Sequence, residues 1–247
     1  MDNGSDLAEI AVLEESGVEL VRLGENRGYG PAANVGIRRW LREGKGEWIV
    51  IVPHDAEPAP DASERILRAV EDEGRVGLVS ADVGDQARPV VDPYLGALPG
   101  RSLAHAGWEP ADYPHGTMLW AKRACLDQIG LFDEQFFAYG EEADLGLRAR
   151  RMGWQVGLVR GAMVTNPTMS SATAAVDYLK QRNTLLLLRR HFGWWPATMR
   201  AAMGALQLLR GLAAPRSRPP WFSAAARRRA LWDGLRARGG PPPEELW

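Results

Sequence analysis

The 247-residue chain is predicted to fold as an α/β protein, on three observations. The continuous apolar run EWIVIVP at 47–53 suits a strand of a parallel sheet covered on both faces. Stretches of strand period and helix period alternate along residues 1–183, the pattern of a sheet flanked by helices. The 45% apolar content is enough to bury a full core with an appendage to spare.

Taken in order, the chain opens on the polar turn Asp2-Asn3-Gly4-Ser5, of the kind that follows a buried strand. Residues 7–16 read as a helix with an acidic face, and VELVRL at 18–23 as a short alternating strand. Glycines 28 and 30 in ENRGYGPAANVG allow a tight turn into a helix whose opening N–H groups could face an anion. The strand at 47–53 then ends on His54, Asp55, Ala56 and Glu57, and ligands of open α/β sheets gather outside such carboxyl ends. An amphipathic helix at 61–73 and a strand at 76–80 follow. Residues 81–114, rich in Gly, Pro and Asp, read as a variable loop containing a solvent-exposed His105 and a Trp108 that could stack on a sugar ring. Residues 155–159 read as a last strand.

The chemistry concentrates between His115 and Trp154. FDEQFFAYGEEADL sets Asp133, Glu141, Glu142 and Asp144 among aromatic and apolar side chains, just ahead of a helical run at 145–152 carrying Arg148, Arg150 and Arg151. Carboxylates at the start of a helix and arginines at its end suit the dipole, so position alone is also the ordinary structural expectation. The single cysteine, Cys125, excludes an internal disulfide framework, fits a reducing compartment, and sits in an apolar context as a small buried hydrophobe. The four histidines, His54, His105, His115 and His191, share no metal-type spacing.

Spacing adds a resemblance. Gly116, Met118, Leu119, Lys122 and Arg123, then Gly130 with FDEQFF and Tyr139, then Glu141, Glu142, Asp144, Leu145 and Arg148, and finally Gly153-Trp154, resemble the C-terminal half of the nucleotide-binding core of family 2 glycosyltransferases, the inverting GT-A type, rhamnosyltransferase-like. The resemblance implies a GT-A nucleotide-diphospho-sugar transferase fold, a mixed, mostly parallel sheet flanked by helices, over residues 1–183. It implies Glu142 as general base and Asp2, Asn34, Asp55, Gly116 and Glu141 as donor-site residues. Asp55 would hold a Mg2+ or Mn2+ ion bridging the donor's diphosphate. The family's loop serines match Ser170 and Ser171, and its Y-x-x-R-N matches Tyr178, Arg182 and Asn183.

Three departures stand out: Glu142 replaces the family's usual Asp, Asp55 keeps only part of the D-x-D pattern, and Asn166 stands where relatives often place a metal-binding His. The resemblance also leads one to expect a βα unit ahead of Asp2. Its lack from this sequence points either to a start placed too late or to a truncated, catalytically impaired relic that binds sugar nucleotides or is purely structural.

Residues 184–247 form a distinct, Arg-rich helical extension. From 182 onward the chain holds 12 Arg against 3 acids, whereas residues 1–181 hold 28 acids against 18 basic residues. Leucines and tryptophans flanked by arginines across 184–238 suit a helix lying in a membrane interface, or equally a helical hairpin packed on the catalytic domain with its arginines in water. No apolar run reaches the 18 or more residues of a spanning helix, and no signal peptide opens the sequence. Nucleic acid is excluded as a partner by the lack of a binding motif. The expected protein is a cytoplasmic enzyme, either free there or peripheral on the inner face of the plasma membrane, joining a nucleotide-diphospho-sugar donor to a glycan or lipid-linked acceptor of the cell envelope.

Overall fold

The structure is a computed structural model describing residues 1–71, 73–166, 174–219 and 222–247. Ser170 and Ser171 lie outside the described residues, as does Trp221.

The core is a mixed sheet ordered β1-β7-β3-β8-β2, with β6 also paired to β8. Its strands are β1 (Trp48–Ile51), β2 (Glu57–Pro58), β3 (Val76–Asp82), β6 (Gly107–Pro110), β7 (Leu119–Lys122) and β8 (Gln155–Thr165). β1, β3 and β8 run the same way, but β7 is inserted antiparallel between β1 and β3, so only the β3–β8 ladder is parallel. The run at 47–53 is accordingly not the doubly covered parallel strand its composition suggests. β1 is half-buried along its length and its named neighbour, β7, is antiparallel. β3 takes that central place, with all seven residues buried.

Side chains alternate across the sheet as a period of two requires. Leu119 and Ala121 of β7 and Leu78 of β3 join one core with Ile37, Leu126, Leu145 and Trp154. Trp120, Val79 and Ala81 face the other way onto Ala62 and Ile66. The first core is covered by α2 (Tyr29–Glu43), α4 (Arg123–Ile129) and α5 (Glu141–Arg151), the second by α3 (Ala62–Glu71). Cys125 is fully buried in the first, where burial pushes its thiol up to about 12. α1 (Leu7–Glu15) is fixed by a capping box in which Asp6 accepts from the Ala8 and Glu9 amides and Glu9 accepts from the Asp6 amide.

Two segments depart from the sequence reading. VELVRL contributes one parallel bridge, Asp2 with Arg22, instead of a strand. Residues 81–114 hold a hairpin, β4 (Ala87–Asp92) and β5 (Gly96–Arg101), as well as β6. Trp108 sits on β6 opposite Val159 and lies against Gly157, packed on the α3-side core, so it is scaffold rather than a sugar platform. His105 is exposed, as expected. Beneath the hairpin, Arg160 of β8 is buried between Glu109 at 2.5 Å and Asp82 at 3.1 Å and donates to the Ala87 carbonyl at 2.6 Å, tying β3, β6, β8 and β4 together.

The C-terminal part is a helical layer of α6 (Ala174–Phe192), α7 (Trp194–Ala213) and α8 (Ala224–Leu235). α6 runs unbroken through the expected boundary at 183/184, because its buried face continues across it from Tyr178 and Leu179 to Leu185 and Leu188. The layer is packed on the sheet domain: Phe137 shares a core with Ala175, Leu179, Ala226 and Leu246. Not all its arginines are in water, since Arg227 pairs with buried Asp177 at 2.8 Å and Arg182 is fully buried.

Candidate active site

The site is assembled by a strained turn. Phe137 (φ 64°, ψ −64°) and Tyr139 (φ 67°) both adopt left-handed backbone, costly for residues with a Cβ. The Ala138 N–H donates to the Phe136 carbonyl at 2.8 Å, closing a tight turn. What offsets that cost comes from α6. Asn183 Nδ2 donates to the carbonyls of Phe136, Ala138 and Tyr139 at 2.7–2.8 Å, and buried Arg182 donates to those of Phe136 at 3.1 Å and Gly240 at 2.7 Å. Gly140 (φ 105°) then caps α5, so the turn delivers Glu141 and Glu142 as that helix's first two residues.

Glu142 reaches a cavity of about 430 Å³ whose wall includes Tyr113, His115, Gly116, Tyr139, Lys180 and Thr184. Gly116 leaves room for Glu142: a Cβ there would meet Glu142 Oε1, and the carboxylate would have to swing aside. The Tyr29 hydroxyl donates to the Gly116 carbonyl at 2.8 Å. Burial is the main cause raising the Glu142 carboxyl above the ordinary carboxylate range, with the amides of Glu142 and Gly140 pulling the other way. Asp144 is committed to α6 and its own helix through His191 and Arg148, both at 2.8 Å. Burial and then Glu142 push the Tyr29 and Tyr113 phenols up, so both remain neutral donors. Burial lowers the His115 imidazole, whose Nδ1 accepts from the Thr117 amide at 3.2 Å.

Glu141 points away from this cavity. It is 2% exposed, its Cγ lies near Gly30, and its Oε2 has no hydrogen-bond partner among the described residues. Burial first and Glu142 second raise its carboxyl well above the ordinary value. The folded state therefore favours the neutral acid, and its contribution to stability is present at low pH and lost as pH rises from the ordinary carboxylate range through the raised value. Glu141→Gln cannot ionise. It is expected to melt with the native chain at acid pH and above it at pH 8, by about 1–3 kcal/mol, roughly 2–4 °C per kcal/mol, in thermal unfolding across pH.

Asp55 lies just past β1, and register places it on the same edge as the cavity. Ile51 pairs with Leu119, three residues after Gly116, and the carboxyl ends of β1, β3 and β8 all meet that edge. It is not itself in the cavity wall. Asn166, past the end of β8, donates from Nδ2 to Asp55 Oδ1 at 3.2 Å, while its buried Oδ1 has no partner among the described residues. A carboxylate and an amide oxygen with a spare lone pair are donor types that a hard divalent cation takes, with phosphate and water completing its shell. Among the described residues no group of three or more His, Cys, Asp or Glu could hold a metal ion without such help.

The other two expected donor residues lie in the scaffold. Asn34 is fully buried, its Nδ2 donating to the Phe132 carbonyl at 2.9 Å and to Glu134 at 3.0 Å while its Oδ1 accepts from the Phe132 amide at 3.0 Å. Spent in this way, it fixes the FDEQFF segment against α2 and has no exposed group for a nucleotide. Asp2 is 4% exposed and accepts from the Ser5 amide at 2.9 Å, the main cause holding its carboxyl below the usual range. Its turn reaches the site indirectly: Asn3 bonds Asn26 and the Gly28 carbonyl, each at 3.2 Å, and a Cβ on Gly28 would overlap the Phe137 carbonyl. Tyr29, Lys180 and the Asp55–Asn166 pairing are features the sequence reading did not assign.

A mixed sheet with helices on both faces, carrying a carboxylate-bearing cavity at the carboxyl edge of its strands, is the arrangement of the GT-A type fold. Glycosyl transferase family 2 matches by its sequence model over residues 1–130, more than half of the chain, and the protein belongs to that family. It is 28% identical, over 84% of this chain and 80% of the relative, to the N-acetylglucosaminyl-diphospho-decaprenol L-rhamnosyltransferase of Mycobacterium tuberculosis (strain ATCC 25618 / H37Rv). A low-salt glycan biosynthesis hexosyltransferase of Haloferax volcanii is 25% identical over 64% of this chain and 54% of its own length. Among solved structures, a Pyrobaculum calidifontis mannosyltransferase in complex with GDP-Man and Mn2+ superposes with a TM-score of 0.55 at 17% identity, covering 95% of this chain and 76% of its own. GalNAc-T7 with UDP, GalNAc and Mn2+ superposes at 0.56 and 12% identity, over 92% of this chain and 45% of its own.

Proposed function

We propose that this enzyme transfers a hexosyl or deoxyhexosyl group from a nucleoside-diphosphate sugar to a hydroxyl of a diphosphate-lipid-linked glycan, with inversion. The observation that carries the reading is Glu142: a carboxylate of raised pKa, set beside Gly116 by the Asn183-held turn, at the wall of a cavity large enough for a sugar. The acceptor oxygen attacks the anomeric carbon, Glu142 takes its proton, and the bond to the donor's β-phosphate oxygen breaks with its electron pair leaving on the nucleoside diphosphate. Asp55 and Asn166 would hold the divalent cation, which when bound offsets charge on the departing diphosphate. Support for the acceptor class comes from the name of the mycobacterial relative and from Lys180, whose ammonium is the only Lys or Arg in the cavity wall among the described residues. An ammonium there suits a phosphate-bearing acceptor.

The test is a panel of dTDP-, UDP- and GDP-sugars with and without Mn2+ or Mg2+. One nucleotide class is expected to raise the melting temperature only with the cation, and to yield free nucleoside diphosphate once a diphospholipid-linked glucosamine acceptor is added. The new linkage should have the opposite anomeric configuration by NMR. Lys180→Ala should raise KM for that acceptor about tenfold with kcat little changed. A chain that no sugar nucleotide stabilises, and that releases no nucleoside diphosphate, overturns the reading.

A further inference from the structure

Helix α7 is built inside out for a surface helix. The residues it turns inward are small: Ala197, Ala201, Gly204 and Gly211 are buried, with Gly204 close against Leu231 of α8 and Gly211 against Phe222. The opposite side carries the bulk. Trp195, Leu206 and Leu209 are 65%, 68% and 61% exposed, and Met203 and Leu212 extend the apolar surface beside them. Helical spacing puts Trp195, Ala202, Leu206, Leu209 and Ala213 on one stripe, running nearly the length of a helix of about 30 Å. A continuous apolar face of this kind is seldom left to water.

Charge indicates what covers it. α7 carries no Asp or Glu, and from 182 onward there are 12 Arg against 3 acids. Arg210 and Arg216 are exposed at the distal end of the stripe. On the inward side of α7, where it meets α8, a groove of about 570 Å³ is lined by Leu208, Trp232 and Leu235 with Arg228, Glu245 and Arg229, the last paired with Asp233 at 2.6 Å, so the groove is separate from the outer stripe. Two copies meeting through this face would bring like charges together, whereas an anionic lipid surface supplies both hydrocarbon for the stripe and phosphates for the arginines. No helix among the described residues is long and apolar enough to cross a membrane, so α7 would lie in the plane of the interface.

We propose that the outer face of α7, with Arg210 and Arg216 at its end, docks this protein on an anionic lipid bilayer. The inference is independent of the sugar chemistry, because vesicle binding is read without donor or acceptor. The full-length protein is mixed with vesicles of phosphatidylglycerol and phosphatidylcholine, or of phosphatidylcholine alone, and sedimented. Binding to the anionic vesicles is expected, falling at high salt and much weaker on phosphatidylcholine. The double variant L206E/L209E, which changes only exposed side chains, should lose about tenfold or more of that binding while keeping the native melting temperature. Arg210→Gln with Arg216→Gln should weaken binding to anionic vesicles alone. Protein that stays in the supernatant with every vesicle, or an L206E/L209E variant that binds undiminished, overturns the proposal. So does light scattering that shows a dimer in the native chain and a monomer in L206E/L209E, which would make a second copy the occupant.

Discussion

Glu142→Gln is expected to lower transfer by roughly 10²–10⁴-fold while leaving donor binding and melting temperature close to native. The amide keeps the shape that fits against Gly116 and removes only the capacity to take a proton. The pH profile gives an independent reading. A base works deprotonated, so activity rises with pH through its pKa, and because burial raises the Glu142 carboxyl the acid limb should lie above the ordinary carboxylate range. Steady-state rates across pH, with nucleotide binding followed by calorimetry, check both parts. A Glu142→Gln enzyme with full turnover, or a native acid limb at the ordinary carboxylate value, would remove Glu142 from the base position. Glu142→Asp, which restores the family's usual residue, should retain a carboxylate but draw it back by one methylene from the reacting atoms. An intermediate rate from that variant would separate reach from basicity.

How much of this could be read from the residues differs by element. FDEQFF and EEADL located the cavity-facing carboxylate, because a helix start is a local property and the dipole and spacing act over a few residues. The same motif could not say which way Glu141 and Asp144 point. That is decided by Gly30 on α2 and by His191 on α6, both distant in sequence. Asn34 reads as a ligand residue from its place in a glycine-rich turn, yet its amide is consumed by Phe132 and Glu134, roughly a hundred residues on. The hairpin of β4 and β5 was hidden by its own composition. Pro89 faces Pro99 and Gly100 faces Arg88, so turn-forming residues sit inside a two-stranded ladder where the alternation that marks a strand is diluted. β1 misled in the other direction: a run apolar enough for a central strand proved half-buried, since the sequence cannot show that β7 inserts beside it. The C-terminal arginines read as one basic module, whereas Arg182 and Arg227 are structural and only some of the rest face outward.

Asn183→Asp should be among the most damaging single changes in the chain, although it alters neither size nor shape. In the native protein one amide nitrogen is offered to three carbonyls, those of Phe136, Ala138 and Tyr139, and the other end accepts from Arg182 Nε at 2.8 Å. The carboxylate would keep the arginine contact but present an oxygen to the carbonyls, replacing donation by repulsion at a side chain 1% exposed. The strained backbone of Phe137 and Tyr139 then loses what holds it, and the penalty for burying unpaired polar groups is on the order of 3–5 kcal/mol. Because α5 starts directly after this turn, the base should lose its position as well as the protein its stability. The melting temperature is expected to fall by roughly 6–20 °C at 2–4 °C per kcal/mol, and transfer at a temperature where the variant remains folded should fall too. Asn183→Ala removes the donors without adding charge and should lie between the two. If Asn183→Asp melted like the native chain, the three carbonyls would have to be satisfied by something other than α6, and the account of how Glu142 is held would fail with it.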